Sequence, residues 1–273
     1  MERTPIAVLT KDNPEYLNIT LRSLKATETF ESPVFIIDDC SEYQKTKDFL
    51  YSDQPIEVCL DDWTSVKSNS LQELADKEAA KSYLTIPQIT SMNGLKNRYN
   101  IIKTKKYLGK LNRILFAVKF VFDSYPSSKM CAILDDDIML NKNWLREAYK
   151  IYEYEHFKSK IGMISVFNEK CKDEEDVEYY INDVINGKCV LFTKKLFDEI
   201  VRTGIYNGVS ISGEGPAYYK IQKLAENLGF VSLNSRLSYV QSLEKRNLVN
   251  KEKVLMYDSN FVKPIAWSEE ISQ

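Results

Sequence analysis

The chain has 273 residues, of which 44% are hydrophobic and 28% are charged, and its net charge at pH 7 is −2. These values are ordinary for a soluble globular protein, and they give no overall attraction to nucleic acid or to a membrane surface. No apolar run approaches the length of a membrane span, and the N-terminal residues lead directly into a strand-like segment. We therefore expect a cytoplasmic protein with reduced cysteines and without a secretory signal.

Strand-like and helix-like patterns alternate from the N-terminus onwards, which favours an α/β fold with a mostly parallel sheet. Pro14 follows Asp12-Asn13, which predicts a capped first helix. Residues 63–108 show little periodicity, and only a polar helix near 69–82 is predicted there. The predicted strands are 5–10, 34–37, 56–60, 131–134, 161–167, 189–192 and 230–233, and further helices are predicted from 109, at 142–156, at 196–201 and at 216–228. The last forty residues are polar and irregular, and we predict a single domain.

Three consecutive carboxylates, Asp135-Asp136-Asp137, follow the apolar strand at 131–134. Three acids at the end of a buried strand repel one another and resist desolvation unless a positive group lies among them. A divalent cation with oxygen ligands, Mg²⁺ or Mn²⁺, meets this need and also binds phosphate oxygens. The motif therefore predicts a metal site for a phosphate-bearing substrate. The alternative is a solvated acidic turn.

Acid pairs also follow two other predicted strands, at Asp38-Asp39 and Asp61-Asp62. Because the carboxyl ends of parallel strands lie at one edge of a sheet, these acids and the triplet are expected to converge on one cleft. Carboxylates there could accept hydrogen bonds from a nucleoside while others hold metal and diphosphate. The alternative is helix capping and turn formation, which Asp performs well; for Asp61-Asp62 we favour that alternative.

The segment Ile36-Ile37-Asp38-Asp39-Cys40-Ser41, followed about a hundred residues later by Leu134-Asp135-Asp136-Asp137, resembles the nucleotide-sugar-binding half of GT-A-fold glycosyltransferases. Family 2 enzymes and relatives of N-acetylglucosaminyltransferase I are the nearest parallels. Residues 185–193 are similar to the family's acceptor-side strand, and 213–230 resemble its "ED" loop and following helix. The resemblance implies a Rossmann-like central sheet flanked by helices, with residues 1–140 binding the nucleotide sugar, 141–242 binding the acceptor and 243–273 forming a tail.

The resemblance also implies a role for individual residues. Asp137 would be the direct ligand of Mn²⁺ or Mg²⁺, and Asp135 would act through ribose or metal-bound water. Asp39, with Asp38 beside it, would contact the base or ribose of the donor, for which the resemblance favours a UDP-sugar. Glu214 would be the general base that takes the proton of the acceptor hydroxyl. The substrate-binding set implied in this way is Thr10, Asp38, Asp39, Lys110, Arg113, Asp135 and Asp136.

Two positions depart from the family pattern. Gly215 stands where the family's loop usually carries Asp after Glu, and Ser242 stands where many relatives have a metal-binding His. The single histidine, His156, lies in a Tyr- and Glu-rich stretch that favours packing or surface exposure. The identity of the base and the stereochemical outcome therefore stay open, and metal binding is expected to depend mainly on Asp137, the diphosphate and water.

A basic stretch lies between residues 94 and 113, with seven Lys and Arg side chains and no acid. It could bind the donor diphosphate, it could be a solvated basic face, or it could contact a polyanionic acceptor such as DNA with hydroxymethylated bases. The acceptor thus stays open between glycan, protein and modified DNA. A nucleotidyltransferase and a non-catalytic nucleic-acid-binding module remain alternatives, although Lys11-Asp12-Asn13-Pro14 is not a glycine-rich phosphate loop and a binding module leaves the acids unexplained.

Overall fold

The computed structural model of the chain describes residues 3–27, 32–51, 56–58, 99–154, 159–168, 179–181, 184–185, 187–205 and 215–243. The strands are β1 (Ile6–Thr10), β2 (Val34–Asp38), β3 (Ile56–Val58), β4 (Tyr99–Thr104), β5 (Met130–Asp135), β6 (Ile138–Leu140), β7 (Ile161–Ser165), β8 (Tyr179–Ile181), β9 (Cys189–Thr193), β10 (Val231–Ser235) and β11 (Val240–Ser242). The helices are α1 (Pro14–Lys25), α2 (Gln44–Tyr51), α3 (Gly109–Ser124), α4 (Trp144–Tyr152), α5 (Lys194–Arg202) and α6 (Ala217–Asn227).

Within these ranges nine strands form one sheet in the order β3-β4-β2-β1-β5-β9-β7-β10-β8, and β6 pairs separately with β11. The run from β3 to β5 is parallel throughout, and β7 is parallel to β10. Strand β9 is antiparallel to both of its neighbours, and β8 is antiparallel to β10. The prediction of a mostly parallel α/β sheet flanked by helices is confirmed.

Strands β1, β2 and β5 are apolar up to their last residue because both faces of the sheet are covered. In β1, Ile6 and Val8 belong to the core cluster that α1 and α4 share, whereas Ala7 and Leu9 belong to the cluster on the opposite face, with α3, α5 and α6. Successive strand residues point to opposite faces, so each strand supplies both clusters. The sheet is therefore the middle of three layers.

The direction of the strands decides which residues meet. Since β1, β2, β4 and β5 are parallel, the residues that follow them lie at one edge of the sheet. Strand β9 runs the opposite way, so its beginning lies at that same edge: the amide of Asp135, at the end of β5, donates to the carbonyl of Lys188, just before β9. The candidate site is built at this edge.

Helix α1 holds the chain that follows β5. The hydroxyl of Thr20 lies 2.7 and 2.8 Å from the carbonyl oxygens of Asp136 and Ile138 and accepts the amide of Ile138 at 3.0 Å. The hydroxyl of Ser23 accepts the amide of Leu140 at 3.2 Å. These side chains satisfy backbone groups that a buried segment cannot leave unpaired. The acidic triplet is therefore positioned from two sides, by α1 and by β11.

The start of α1 differs from the prediction. The side chain of Asn13 makes no capping bond to the helix; its amide instead donates to a carboxylate oxygen of Asp136 at 3.3 Å. The carboxylate of Asp12 accepts the amides of Glu42 and Tyr43, both at 2.7 Å, so it caps the chain before α2. The prediction of an Asp12-Asn13 cap on α1 was wrong because these side chains reach across the site edge.

Sequence patterns missed four of the strands. Strand β4 lies within the stretch that showed little pattern, and β6, β8 and β11 have three residues each, β11 falling in the tail predicted to be irregular. The predicted helix at 69–82 and the tail beyond 243 fall outside the described residues. None of the described helices is long and apolar enough to cross a membrane.

We predict that Thr20→Val lowers the free energy of unfolding by about 1–3 kcal/mol, because the buried amide of Ile138 would lose its acceptor. Urea denaturation followed by circular dichroism measures the change. Thr203→Val is the matched control, since the Thr203 hydroxyl donates to the Ile200 carbonyl at the end of α5, and that carbonyl also accepts the Thr203 amide. Equal effects of the two substitutions would contradict the structural role of Thr20.

Candidate functional site

Two carboxylates and two ammonium groups form the centre of the site. The Lys188 ammonium lies 2.6 Å from Asp137 Oδ2 and 3.8 Å from Asp135 Oδ2. The Lys110 ammonium, at the start of α3, lies 3.0 Å from Asp135 Oδ2. Both carboxylates are buried, with 6% of Asp135 and 5% of Asp137 exposed. Burial raises the pKa of Asp135 above its usual value, although Lys110 and Lys188 act in the opposite direction.

The remaining oxygens of these two carboxylates suit a metal ion. Asp135 Oδ1 and Asp137 Oδ1 are buried and have no hydrogen-bond partner among the described residues. Buried carboxylate oxygens without donors are costly unless a ligand or cation binds them. Across the same residues, no group of three His, Cys, Asp or Glu side chains could hold a metal. Two carboxylates together with substrate phosphates are a donor set that Mg²⁺ accepts, so Asp135 and Asp137 are the residues that could hold such an ion.

Asp136, the middle acid, is turned away from the other two. Its Oδ2 accepts the Thr10 hydroxyl at 2.6 Å, and its Oδ1 accepts the Asn13 amide at 3.3 Å. Burial raises the pKa of Asp136 to about 6, with both neighbouring aspartates acting in the same direction. These contacts favour a structural role for Asp136 and Thr10, which fix the triplet against β1, over the substrate contact that the resemblance implied.

Asp38 and Asp39 also divide into two roles. Asp38 Oδ1 accepts the amide and the hydroxyl of Ser41, which closes the turn after β2. Asp39 Oδ1 accepts the Leu108 amide at 2.7 Å, whereas its Oδ2 is buried, has no hydrogen-bond partner in the described part of the chain and lies 3.9 Å from the Arg113 guanidinium. Asp38 thus builds the turn, and Asp39 presents a free acceptor beside a cation.

Arg113 connects this acceptor to the first strand. Its guanidinium donates to the carbonyl of Thr10 at 3.2 Å, and its Nε is buried without a partner among the described residues. Lys110 lies one turn earlier on α3. The two members of the basic stretch predicted to bind the donor therefore do face the site, whereas Lys105 and Lys106 are exposed and Lys96 and Arg98 lie outside the described residues.

Sequence reasoning missed Lys188 and Tyr218. Tyr218, on α6, is 3% exposed, and its hydroxyl has no partner in the described ranges. Burial, and the nearby charge of Asp135, raise its pKa well above the usual value, so the hydroxyl stays protonated. Lys110 lies 5.9 Å from the centre of the Tyr218 ring. The only signal for Lys188 was its place directly before an apolar strand.

Gly187 lets the Lys188 backbone approach α6. A Cβ atom at residue 187 would lie 1.8 Å from Tyr218 Cδ2, well inside van der Waals contact. The backbone amide of Ile185 is also fixed to α6, because it donates a hydrogen bond to the Gln222 side chain at 3.0 Å. The chain before β9 is thus packed directly on α6.

The two departures from the family pattern have structural counterparts. Gly215 has φ +114°, a backbone conformation that favours glycine, so an aspartate there would be strained. Ser242 pairs with Ile138 across β11 and β6, and the Leu243 amide donates to the carbonyl of Asp137 at 2.8 Å. Residue 242 therefore does lie near the triplet. Glu214, Asp61, Asp62 and His156 are outside the described residues.

Among comparisons with known proteins, only those with solved structures give a match. No family model matches the sequence. No curated protein matches it either. Among solved structures, GalNAc-T7 with UDP, GalNAc and Mn²⁺ has a TM-score of 0.51 and 10% identity, over 87% of this chain and 43% of that one. Staphylococcus aureus TarS 1-349 in complex with UDP has a TM-score of 0.47 and 13% identity, over 87% and 59%. The likeness to GalNAc-T7 confirms the predicted GT-A fold.

We predict that Gly187→Ala destabilises the protein by about 1–3 kcal/mol, because the added methyl group cannot fit beside the buried Tyr218 ring. Tyr218→Ala is itself destabilising, but adding Gly187→Ala to it should cost much less than adding it to the wild type. Urea denaturation of the four proteins measures this cycle. Additive effects would contradict the contact.

Proposed function

We propose that the protein is a metal-dependent glycosyltransferase that moves a sugar from a nucleotide diphosphate sugar, UDP-linked in our proposal, to an acceptor hydroxyl. The observation that carries the proposal is the pair of buried, unpartnered carboxylate oxygens of Asp135 and Asp137, set between two lysines at the carboxyl edge of a GT-A sheet. Such a pair suits a cation shared with a diphosphate. GalNAc-T7, which has this fold, was solved with UDP and Mn²⁺, which supports the same choice here.

Donor binding is proposed along the edge from β2 to β5. The free Oδ2 of Asp39 can accept a hydrogen bond from the base or ribose, and Arg113 beside it is available to the diphosphate. Lys110 has 48% of its side chain exposed and can reach phosphate oxygens from the start of α3. In this proposal residues 1–140 bind the donor and 141–242 bind the acceptor within a single domain.

The chemistry follows from these positions. Asp137 and Asp135 would hold Mn²⁺ or Mg²⁺, which supplies Lewis-acid stabilisation of the leaving diphosphate. Lys110 and Arg113 add fixed positive charge beside the same phosphates as negative charge develops. Glu214 is proposed to take the acceptor proton while the acceptor oxygen bonds to the anomeric carbon and the bond from that carbon to the diphosphate oxygen breaks. The Tyr218 hydroxyl is a protonated donor available to the substrate in the same site.

The proposed activity is tested by screening nucleotide sugars for hydrolysis with Mn²⁺, with Mg²⁺ and with chelator. We expect turnover of a UDP-sugar that chelator abolishes, and we expect Asp137→Asn to lower it by about a hundredfold or more, as for loss of a group that stabilises leaving-group charge. Asp198→Asn is the matched control, because Asp198 also pairs with a lysine, Lys194, but at the opposite edge of the sheet. No turnover of any nucleotide sugar, or equal turnover by both variants, would contradict the proposal.

We predict separately that Asp39→Asn weakens UDP binding by about tenfold or more, the cost of about 1.4 kcal/mol for one charged hydrogen bond. Calorimetric titration with UDP measures the change, and inorganic pyrophosphate, which lacks the nucleoside, should bind both proteins alike. Asp48→Asn, which removes an exposed carboxylate on α2, is the control. An equal loss for UDP and pyrophosphate would place Asp39 away from the nucleoside.

A further inference from the structure

We propose that Lys188 is a tethered cation that competes with the divalent metal ion for Asp137, and that it leaves this carboxylate when metal and diphosphate bind together. The inference deepens the proposed function and rests on it. The Lys188 ammonium lies 2.6 Å from Asp137 Oδ2 and 3.8 Å from Asp135 Oδ2, so it already bridges the two carboxylates proposed to hold the metal.

The lysine is held there by the fold. Its side chain is only 12% exposed, its carbonyl accepts the Asp135 amide, and the preceding Gly187 is packed on α6. The position of Lys188 directly before β9 therefore places its ammonium beside Asp135 and Asp137, from the half of the chain proposed to bind the acceptor. A buried lysine needs an anionic partner, and the two aspartates supply it in the protein without donor.

Competition follows from the charges. A divalent ion that binds Asp135 and Asp137 places its charge beside an ammonium that lies within 4 Å of both carboxylates, and like charges at such distances repel strongly in a buried site. Metal alone must therefore take Asp137 from Lys188, which loses its closest carboxylate partner. When the donor diphosphate arrives with the metal, its oxygens give Lys188 a new partner. Lys188 thus makes metal and diphosphate binding cooperative.

The test measures Mn²⁺ binding directly, without turnover. Electron paramagnetic resonance of free Mn²⁺ gives the dissociation constant for the full chain with and without UDP. We expect Lys188→Met to bind Mn²⁺ about tenfold more tightly than the wild type in the absence of UDP, and we expect the tightening of Mn²⁺ binding by UDP to shrink by a similar factor, within the usual range of coupling between two sites.

Two variants serve as controls. Lys194→Met removes a lysine at the other end of β9, where it pairs with Asp198, and should leave Mn²⁺ binding unchanged. Lys188→Arg keeps the charge and should bind Mn²⁺ like the wild type. Circular dichroism melting establishes that each variant is folded; if Lys188→Met does not fold, Lys188→Gln, which retains polar contact with Asp137, replaces it in the same titration.

The proposal is overturned if Lys188→Met binds Mn²⁺ as the wild type does or more weakly, or if no protein in the set binds Mn²⁺ with or without UDP. Failure of the proposed function looks different, since it is the absence of nucleotide-sugar turnover. A wild type that turns over a UDP-sugar in a chelator-sensitive reaction, with Mn²⁺ affinity indifferent to Lys188, removes the competition and leaves the glycosyltransferase in place.

Discussion

The reversal of a single strand determines what this sheet edge can do. Had β9 run parallel to β5, its first residue and Lys188 before it would lie at the far edge of the sheet, away from Asp135 and Asp137. Because β9 is antiparallel, Lys188 enters the acidic centre and the Asp135 amide is paired at the same time. The charge balance of the site and the geometry of the β5 end thus come from one pairing.

The three consecutive acids are not equivalent, because the bend between β5 and β6 brings them to different partners. Asp135 and Asp137 both lie within 4 Å of the Lys188 ammonium, whereas Asp136 faces Thr10 and Asn13. The middle residue is bound by neutral donors and the outer two by ammonium groups. Within three positions, aspartate therefore fixes the chain to β1 and α1 in one case and places a negative charge in the site in the other two.

Much of the fold could be predicted because the central strands are buried on both faces and so carry uninterrupted apolar runs, as in β1, β2 and β5. Strand β4 escaped prediction because Asn100 and Lys103 interrupt its apolar residues. The acids at strand ends could also be predicted, because each acidic group directly follows one of these apolar runs. Lys188 was not, since its partner Asp137 is 51 residues away and the pairing depends on strand direction, which no local pattern encodes.

The contact between Gly187 and Tyr218 has an evolutionary consequence for the residue that follows it. Position 187 is constrained by volume, because no larger side chain fits against α6, whereas position 188 is constrained by charge, because its side chain meets two carboxylates. Two adjacent positions are thus under different physical constraints. A homologue with this fold is expected to keep glycine at position 187. A homologue that binds no metal ion, or a different one, could carry another side chain at position 188 without a change in the backbone.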